Sequence, residues 1–198
     1  MYDITLCLPS IFISEWQRIY KDIENNLGPI DSKNHLDIKW ELIIVGPTDK
    51  DNTLAPKSNW RFIQDYGNPT RCVQIGSTVA RGKLFTWLSD DCYIIENSLR
   101  FLIEDFISHG NQENEYVVRY LEYGTNGQCG SNADRYWTTG AHGALDKLKG
   151  LSRYKIIAPV GILHTNFFKR IGGFDCKFMH INMGCIDLSL RIQNLGYE

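Results

Sequence analysis

The sequence predicts an α/β protein with a mostly parallel central sheet and helices on both faces. Three observations carry that expectation. Apolar runs of strand length alternate with amphipathic helical stretches in the order β-α-β-β-α-β over the first half of the chain. Glycine, proline and asparagine punctuate those stretches where helices start and stop. One apolar run, residues 84–88, ends abruptly in Ser89, Asp90 and Asp91. Two adjacent carboxylates thus stand at the carboxyl end of a central, buried strand, which is where open α/β sheets bind their ligands.

Taken in order, residues 4–8 form a short apolar strand closed by Pro9 and Ser10. A helix follows: Ser14 to Gln17 fits a capping box, and Ile13, Trp16, Tyr20, Ile23 and Leu27 recur at helical spacing. Gly28-Pro29 stops it, and residues 30–35 read as a polar loop. Residues 40–45 are a second buried strand broken by Gly46-Pro47, and residues 48–59 a loop. Residues 60–63 give a third strand. Asn68 as cap and Pro69 at the first helical position start a second helix, whose buried face carries Val73, Gly76, Val79 and Ala80. Gly82 ends it, and the strand that leads to the aspartates begins. Beyond them Asn97 caps a helix with Leu99, Leu102, Ile103 and Phe106 inward. Residues 116–123 read as a half-exposed strand, and residues 124–151, rich in glycine, as a long irregular stretch. Residues 156–163 give another strand, Asn166 caps a short helix ending in Gly172-Gly173, and residues 185–195 form the closing helix.

With 198 residues the chain is long enough for a full single-domain core. A net charge of −2 without blocks of like charge gives no support for nucleic-acid binding. The six cysteines are scattered, with neither a C-x-x-C pair nor zinc spacing, so they read as buried free thiols of a reducing, cytoplasmic compartment. No signal peptide is visible, and no apolar run approaches the length of a membrane span.

Two neighbouring carboxylates repel one another unless something positive joins them. A hard divalent cation, Mg²⁺ or Mn²⁺, does so with one or two carboxylates and completes its shell with water and substrate phosphate. The plainer alternative for Ser89-Asp90-Asp91 is a polar turn into the helix near Asn97.

Three stretches together resemble the family 2 glycosyltransferases of the GT-A fold, over residues 4–198. The first is Gln74-Ile75-Gly76, Ala80-Arg81-Gly82 and Leu88-Ser89-Asp90-Asp91, similar to the family's Asn-x-Gly, Ala-x-Gly and Asp-x-Asp. The second is Gly172-Gly173-Phe174-Asp175. The third is Asp187-Leu188-Ser189-Leu190-Arg191 with Gly196-Tyr197, similar to the Asp-Leu-x-x-Arg helix. The resemblance implies a nucleotide-binding half over residues 1–95 and an acceptor-binding half over 96–198. It implies transfer of a hexose from a UDP-sugar, glucose or similar, to a glycan, lipid or protein acceptor, by an inverting displacement with Mn²⁺ or Mg²⁺. Asp91 would be the first metal ligand, with Asp90 on the ribose or the metal and His180 or His164 as a further ligand. Pro9, Ser10, Ile11 and Gly46 would line the donor pocket with Ser89 and Asp90. Arg71 would reach the uracil or the phosphates, Gln74 takes the place of the family's Asn, and Gly172, Gly173 and Asp175 would floor the sugar or acceptor pocket.

Three positions depart from the family pattern. Gly46 stands in place of an Asp that reads uracil, Ser89 in place of the first Asp of Asp-x-Asp, and Gly184-Cys185 in place of the Glu-Asp pair that carries the catalytic base. Asp187 and Asp175 are the nearest carboxylates, and Asp187 is the expected base. A non-catalytic nucleotide-sugar or glycan binding module on the same fold is the alternative those departures raise. A dinucleotide-dependent oxidoreductase is disfavoured, because no G-x-G-x-x-G opens the first helix. Acceptor contacts are expected in residues 124–151, around Tyr136, Trp137 and His142, since aromatic faces suit sugar rings.

Overall fold

A computed structural model describes residues 2–28, 38–50, 52, 54, 58–91, 94, 97–108 and 161–196. Among the described residues five strands form one sheet: β1 (Tyr2–Pro9), β2 (Trp40–Gly46), β3 (Trp60–Gln64), β4 (Gly82–Trp87) and β5 (Ile162–His164). Their spatial order is β3-β2-β1-β4-β5. The β1–β2, β2–β3 and β1–β4 pairs are parallel, and β5 runs antiparallel beside β4. The chain therefore winds outward from β1 to β3, then returns to place β4 on the other side of β1. That reversal opens a crevice at the carboxyl ends of β1 and β4.

The helices are α1 (Trp16–Leu27), α2 (Pro69–Val79), α3 (Ser98–Ser108), α4 (Thr165–Arg170) and α5 (Ile181–Asn194). They cover both faces of the sheet, as the sequence predicts. Side chains alternate across each strand, so Ile4, Leu6 and Leu8 of β1 meet one face while Cys7 meets the other. The first face packs against Trp16, Tyr20 and Ile23 of α1 and Leu99, Ile103 and Phe106 of α3. The second packs against Val73 of α2, Phe167 and Phe168 of α4, and Leu188 and Ile192 of α5. Gly76 lets α2 lie on the sheet: a Cβ there would come 2.3 Å from Cys7 Sγ. At the amino ends of the strands the buried Glu41 ties the layers together. It accepts hydrogen bonds from Thr5 Oγ1 at 2.7 Å and from Arg81 N and Nε at 2.7 and 2.8 Å.

Several helix starts differ from the sequence expectation. The capping box at Ser14 does not form; a 3-10 turn, Ile13–Glu15, precedes α1, and no side chain of that segment caps it. The backbone amides ahead of it go to Asp90 instead. Helix α3 begins at Ser98, directly after Asn97, which lies at φ 63°; Asn26 Oδ1 of α1 also accepts from the amide of Leu99 at 3.0 Å. Helix α4 begins at Thr165, one residue before Asn166, and α5 begins at Ile181, four residues before Cys185, with His180 as its cap residue. Asn68 does cap α2, its Oδ1 accepting from Arg71 N at 2.9 Å. The expected loop at 30–35, strand at 116–123, acceptor stretch at 124–151 and most of the strand at 156–163 lie outside the described residues.

Candidate functional site

The crevice at the switch point is a half-open cavity of about 290 Å³. Residues 9–12 after β1, 45–47 at the end of β2 and 65–67 after β3 form its walls, with Pro69 and Cys72 of α2 and with Asp90. The four parallel strands β1 to β4 bring their carboxyl ends, or the residues that follow them, to this edge of the sheet.

Asp90 is buried, and one of its oxygens does local work. Oδ2 accepts from Ser10 Oγ at 2.8 Å, Ile11 N at 2.9 Å and Phe12 N at 3.1 Å. Trp16 Nε1 donates to the same Ser10 Oγ at 2.7 Å. The carboxylate of the β4 end thereby fixes the loop after β1 and supplies the acceptor that the chain ahead of α1 lacks. Oδ1 of Asp90 makes no hydrogen bond among the described residues. Asp91 is exposed beside it, and Ser89 Oγ donates to Asp91 Oδ1. This donor set fits a hard cation that takes two carboxylate oxygens from the protein and the rest of its shell from water and phosphate. Among the described residues no three carboxylate, imidazole or thiol side chains gather to hold a metal ion, so His180 does not join Asp90 and Asp91 in such a group.

Gly46 is required where it stands. A Cβ at this position would lie 2.0 Å from the carbonyl oxygen of Ser10, whose amide bonds to Val45 O at 2.9 Å. The loop after β1 leans on the end of β2 and excludes any side chain there. Asp65 sits directly alongside, its amide donating to Gly46 O at 2.8 Å. Its carboxylate accepts from Gly67 N at 2.7 Å and from Arg71 Nε and Nη2, both at 3.0 Å. The Arg71 hydrogen bonds hold the Asp65 carboxyl below the usual carboxylate range.

The remaining motif residues form a clamp beside the cavity. Gln74 Oε1 accepts from Phe174 N at 2.8 Å, and Gln74 Nε2 donates to Gly172 O at 3.4 Å. Arg191 Nη1 donates to Ile171 O at 2.7 Å, and its Nη2 donates to Gly173 O. Asp187 Oδ2 accepts from Arg191 Nε at 2.8 Å and so aims that guanidinium. Gly172 and Gly173 turn at φ 89° and 60°, a conformation that favours glycine. All three motif stretches thus meet at one turn, which leads into Asp175. Asp175 is exposed, with Oδ1 accepting from Lys177 N at 3.0 Å. The segment that follows lies beside the start of α2, where Asn68 Nδ2 donates to Cys176 O at 3.4 Å.

Of the predicted site residues, Pro9, Ser10, Ile11, Gly46 and Asp90 line the cavity. Ser89 and Asp91 lie in the segment that follows β4, two and four residues past its end. Arg71 is engaged by Asp65, and Gln74, Gly172, Gly173 and Asp187 belong to the clamp. Gly184 and Cys185 are buried: a Cβ on Gly184 would come 3.0 Å from Thr70 Cγ2, and burial pushes the Cys185 thiol far up. Sequence reasoning missed Phe12, Asp65 and Tyr66. Their signal was positional, since residues 65–67 fall between a strand end and a capped helix, on the same sheet edge as Asp90.

No protein-family model matches the chain, and no curated protein matches it. Solved structures do. S. aureus TarS 1-349 superposes with a TM-score of 0.60 at 15% identity, over 96% of this chain and 55% of that one. The same protein in complex with UDP gives 0.60 at 13% identity. The mannosyltransferase PcManGT from Pyrobaculum calidifontis, in complex with GDP-Man and Mn²⁺, gives 0.60 at 13% identity over 100% of this chain and 53% of that one. The chain spans about half the length of these structures. The fold is the GT-A fold that the sequence resemblance implies.

Proposed function

We propose that this protein is a glycosyltransferase that moves a hexose from a UDP-sugar, such as UDP-glucose, to a glycan, lipid or protein acceptor in one inverting displacement. The observation that carries this reading is Asp90 lining the switch-point cavity of a GT-A sheet, with the exposed Asp91 next in the chain. Residues 1–95 bind the nucleotide and residues 96–198 carry the acceptor side. Asp91 and Oδ1 of Asp90 hold Mn²⁺ or Mg²⁺, which when bound supplies Lewis-acid stabilisation of the departing diphosphate. Oδ2 of Asp90 keeps the loop after β1 in place to receive the nucleotide. Asp175 accepts the proton of the acceptor hydroxyl, since Lys177 N engages only one of its oxygens. Asp187 is a positioning residue, because its carboxylate aims Arg191 at the turn before Asp175. The buried Cys7, Cys72 and Cys185 suit a reducing compartment such as the cytoplasm. Among the described residues no helix is long and apolar enough to cross a membrane.

The test is a thermal-shift panel of UDP, GDP, CDP, TDP and NAD, each with Mn²⁺, Mg²⁺ or EDTA, followed by UDP-glucose hydrolysis. A ligand that binds only the native state raises the melting temperature. A UDP shift that needs metal and is lost in Asp91→Asn supports the donor site; no shift with any nucleotide and metal refutes it. Asp175→Asn abolishes turnover and keeps UDP binding, whereas Asp187→Asn retains part of the turnover. One observation favours a second reading, a non-catalytic binding module: positions 184 and 185 are packed into the core and offer no carboxylate. That reading expects metal-dependent UDP binding with neither transfer nor hydrolysis.

A further inference from the structure

The cavity has two walls and a bare floor. Ile11 and Phe12, 68% and 50% exposed, stand on the side of β1. Tyr66, 80% exposed, stands on the side of β3. Between them lies the end of β2, where Gly46 carries no side chain and tolerates none. Strands β1 and β3 are two strand spacings apart, about 9.6 Å, so the walls leave room for one planar ring and little more. Tyr66 is also anchored. Gln64 Nε2 donates to Tyr66 Oη at 2.8 Å and to Pro47 O at 2.9 Å, so the hydroxyl end is tied to the sheet while the ring stays open to solvent. A large aromatic side chain held exposed at a cavity mouth offers a stacking face.

At the foot of that wall is Asp65, which also lines the cavity. An ionised carboxylate only accepts hydrogen bonds. Gly67 N donates to Oδ1 at 2.7 Å, Arg71 Nε is shared between Oδ1 at 3.0 Å and Oδ2 at 3.2 Å, and Arg71 Nη2 donates to Oδ2 at 3.0 Å. A carboxylate has about four acceptor sites over its two oxygens, and three N–H groups fill three of them, so one remains for a ligand.

Resting on the nucleotide reading above, we propose that Tyr66 and Asp65 read the base of the donor. Tyr66 stacks on its face, and Asp65 accepts its ring imino N–H. Uracil at N3 and guanine at N1 carry such a donor. Cytosine at N3 and adenine at N1 carry a lone pair at the corresponding ring position, which would face the carboxylate unpaired. The cavity therefore selects bases with an imino N–H and rejects those without one.

The experiment is calorimetric titration of the full chain with UDP, GDP, CDP, ADP and inorganic pyrophosphate, all with Mn²⁺, on the wild type, Tyr66→Ala, Tyr66→Phe and Asp65→Asn. UDP or GDP binds at least about tenfold more tightly than CDP and ADP, since the mismatched bases leave a charged acceptor unpaired. Tyr66→Ala weakens the preferred nucleotide about tenfold and leaves pyrophosphate unchanged, while Tyr66→Phe keeps most of the affinity. Asp65→Asn, whose amide both donates and accepts, brings CDP within about threefold of UDP. Equal binding of UDP, GDP, CDP and ADP by the wild type, or an unchanged UDP affinity in Tyr66→Ala, overturns the assignment while leaving the donor site intact. If neither nucleotides nor pyrophosphate bind, the donor reading itself fails and this one with it. Tyr66 and Asp65 lie outside the core, so the variants are expected to fold, and a melting curve of each checks it.

Discussion

Asp90 performs two tasks with two oxygens, and substitution separates them. Asp90→Ala removes the acceptor of three hydrogen bonds, from Ser10 Oγ, Ile11 N and Phe12 N. Each contributes about 1–1.5 kcal/mol net, and water reaching the freed amides recovers part, so the loss is about 3 kcal/mol. For a chain of 198 residues that corresponds to a fall in melting temperature of about 9 °C. Asp90→Asn keeps an oxygen toward the three donors and loses only the charge assistance, about 1 kcal/mol or roughly 3 °C. Its amide nitrogen then replaces the open oxygen, so the Mn²⁺-dependent shift with UDP disappears. The assay is thermal unfolding of wild type, Asp90→Ala and Asp90→Asn, with and without Mn²⁺ and UDP. If Asp90→Ala melts within about 2 °C of wild type, the carboxylate does not brace the loop after β1. If Asp90→Asn keeps the full metal-dependent shift, Oδ1 is no part of the metal site.

Gly46→Asp restores the acid expected at the end of β2 but places a Cβ 2.0 Å from a backbone oxygen. It should cost about 3 kcal/mol and weaken UDP binding, read by urea unfolding and titration; a stable variant with tighter UDP binding would refute the contact. Cys185→Asp puts an unpaired carboxylate where burial already pushes a thiol far up, at a cost of about 3–5 kcal/mol near pH 7. Burial raises the folded-state pKa of that carboxyl above its unfolded value, so the penalty shrinks as pH falls toward 4 and grows above it, which unfolding at pH 4.5 and 7 compares. Among the described cysteines Cys176 is exposed, while burial and the nearby Asp65 charge push the Cys72 thiol up to about 11. At pH 8 iodoacetamide should modify Cys176 well before Cys72, whose thiolate is about a thousandth of the population, as peptide mapping by mass spectrometry reports; equal rates would contradict the burial of Cys72.

The layers of this fold were legible because they follow from local pattern. Periodic apolar residues, Gly28, the Asn68-Pro69 start and the run into Asp90 each announce an element from its own neighbourhood. What stayed hidden depends on contacts between distant residues. Ser14 and Gln17 spell a capping box, yet Asp90, far along the chain, supplies the acceptor for the amides that precede α1. Asn97 marks the start of α3, but nothing near it in the sequence shows that Asn26 of another helix takes the amide of Leu99. The same holds within the site. Motif spacing singled out Gln74, Gly172, Gly173, Asp187 and Arg191 without saying that they bond to one another. A polar motif residue at a ligand edge can serve the ligand or serve the backbone that faces it, and spacing alone is the same in both cases. Geometry separates them: Gln74 and Arg191 direct their polar atoms to the carbonyls and amide of residues 171–174. Asp65 and Tyr66 had the opposite problem. They belong to no motif, and only the pairing of β2 with β3 brings them beside Gly46 at the cavity floor. Where a side chain is barred at Gly46 by the loop after β1, the neighbouring strand is the shortest route for a carboxylate to reach the same space. Removing the Asp65 carboxylate should therefore alter base preference more than any change at Arg71, which acts on the cavity through it.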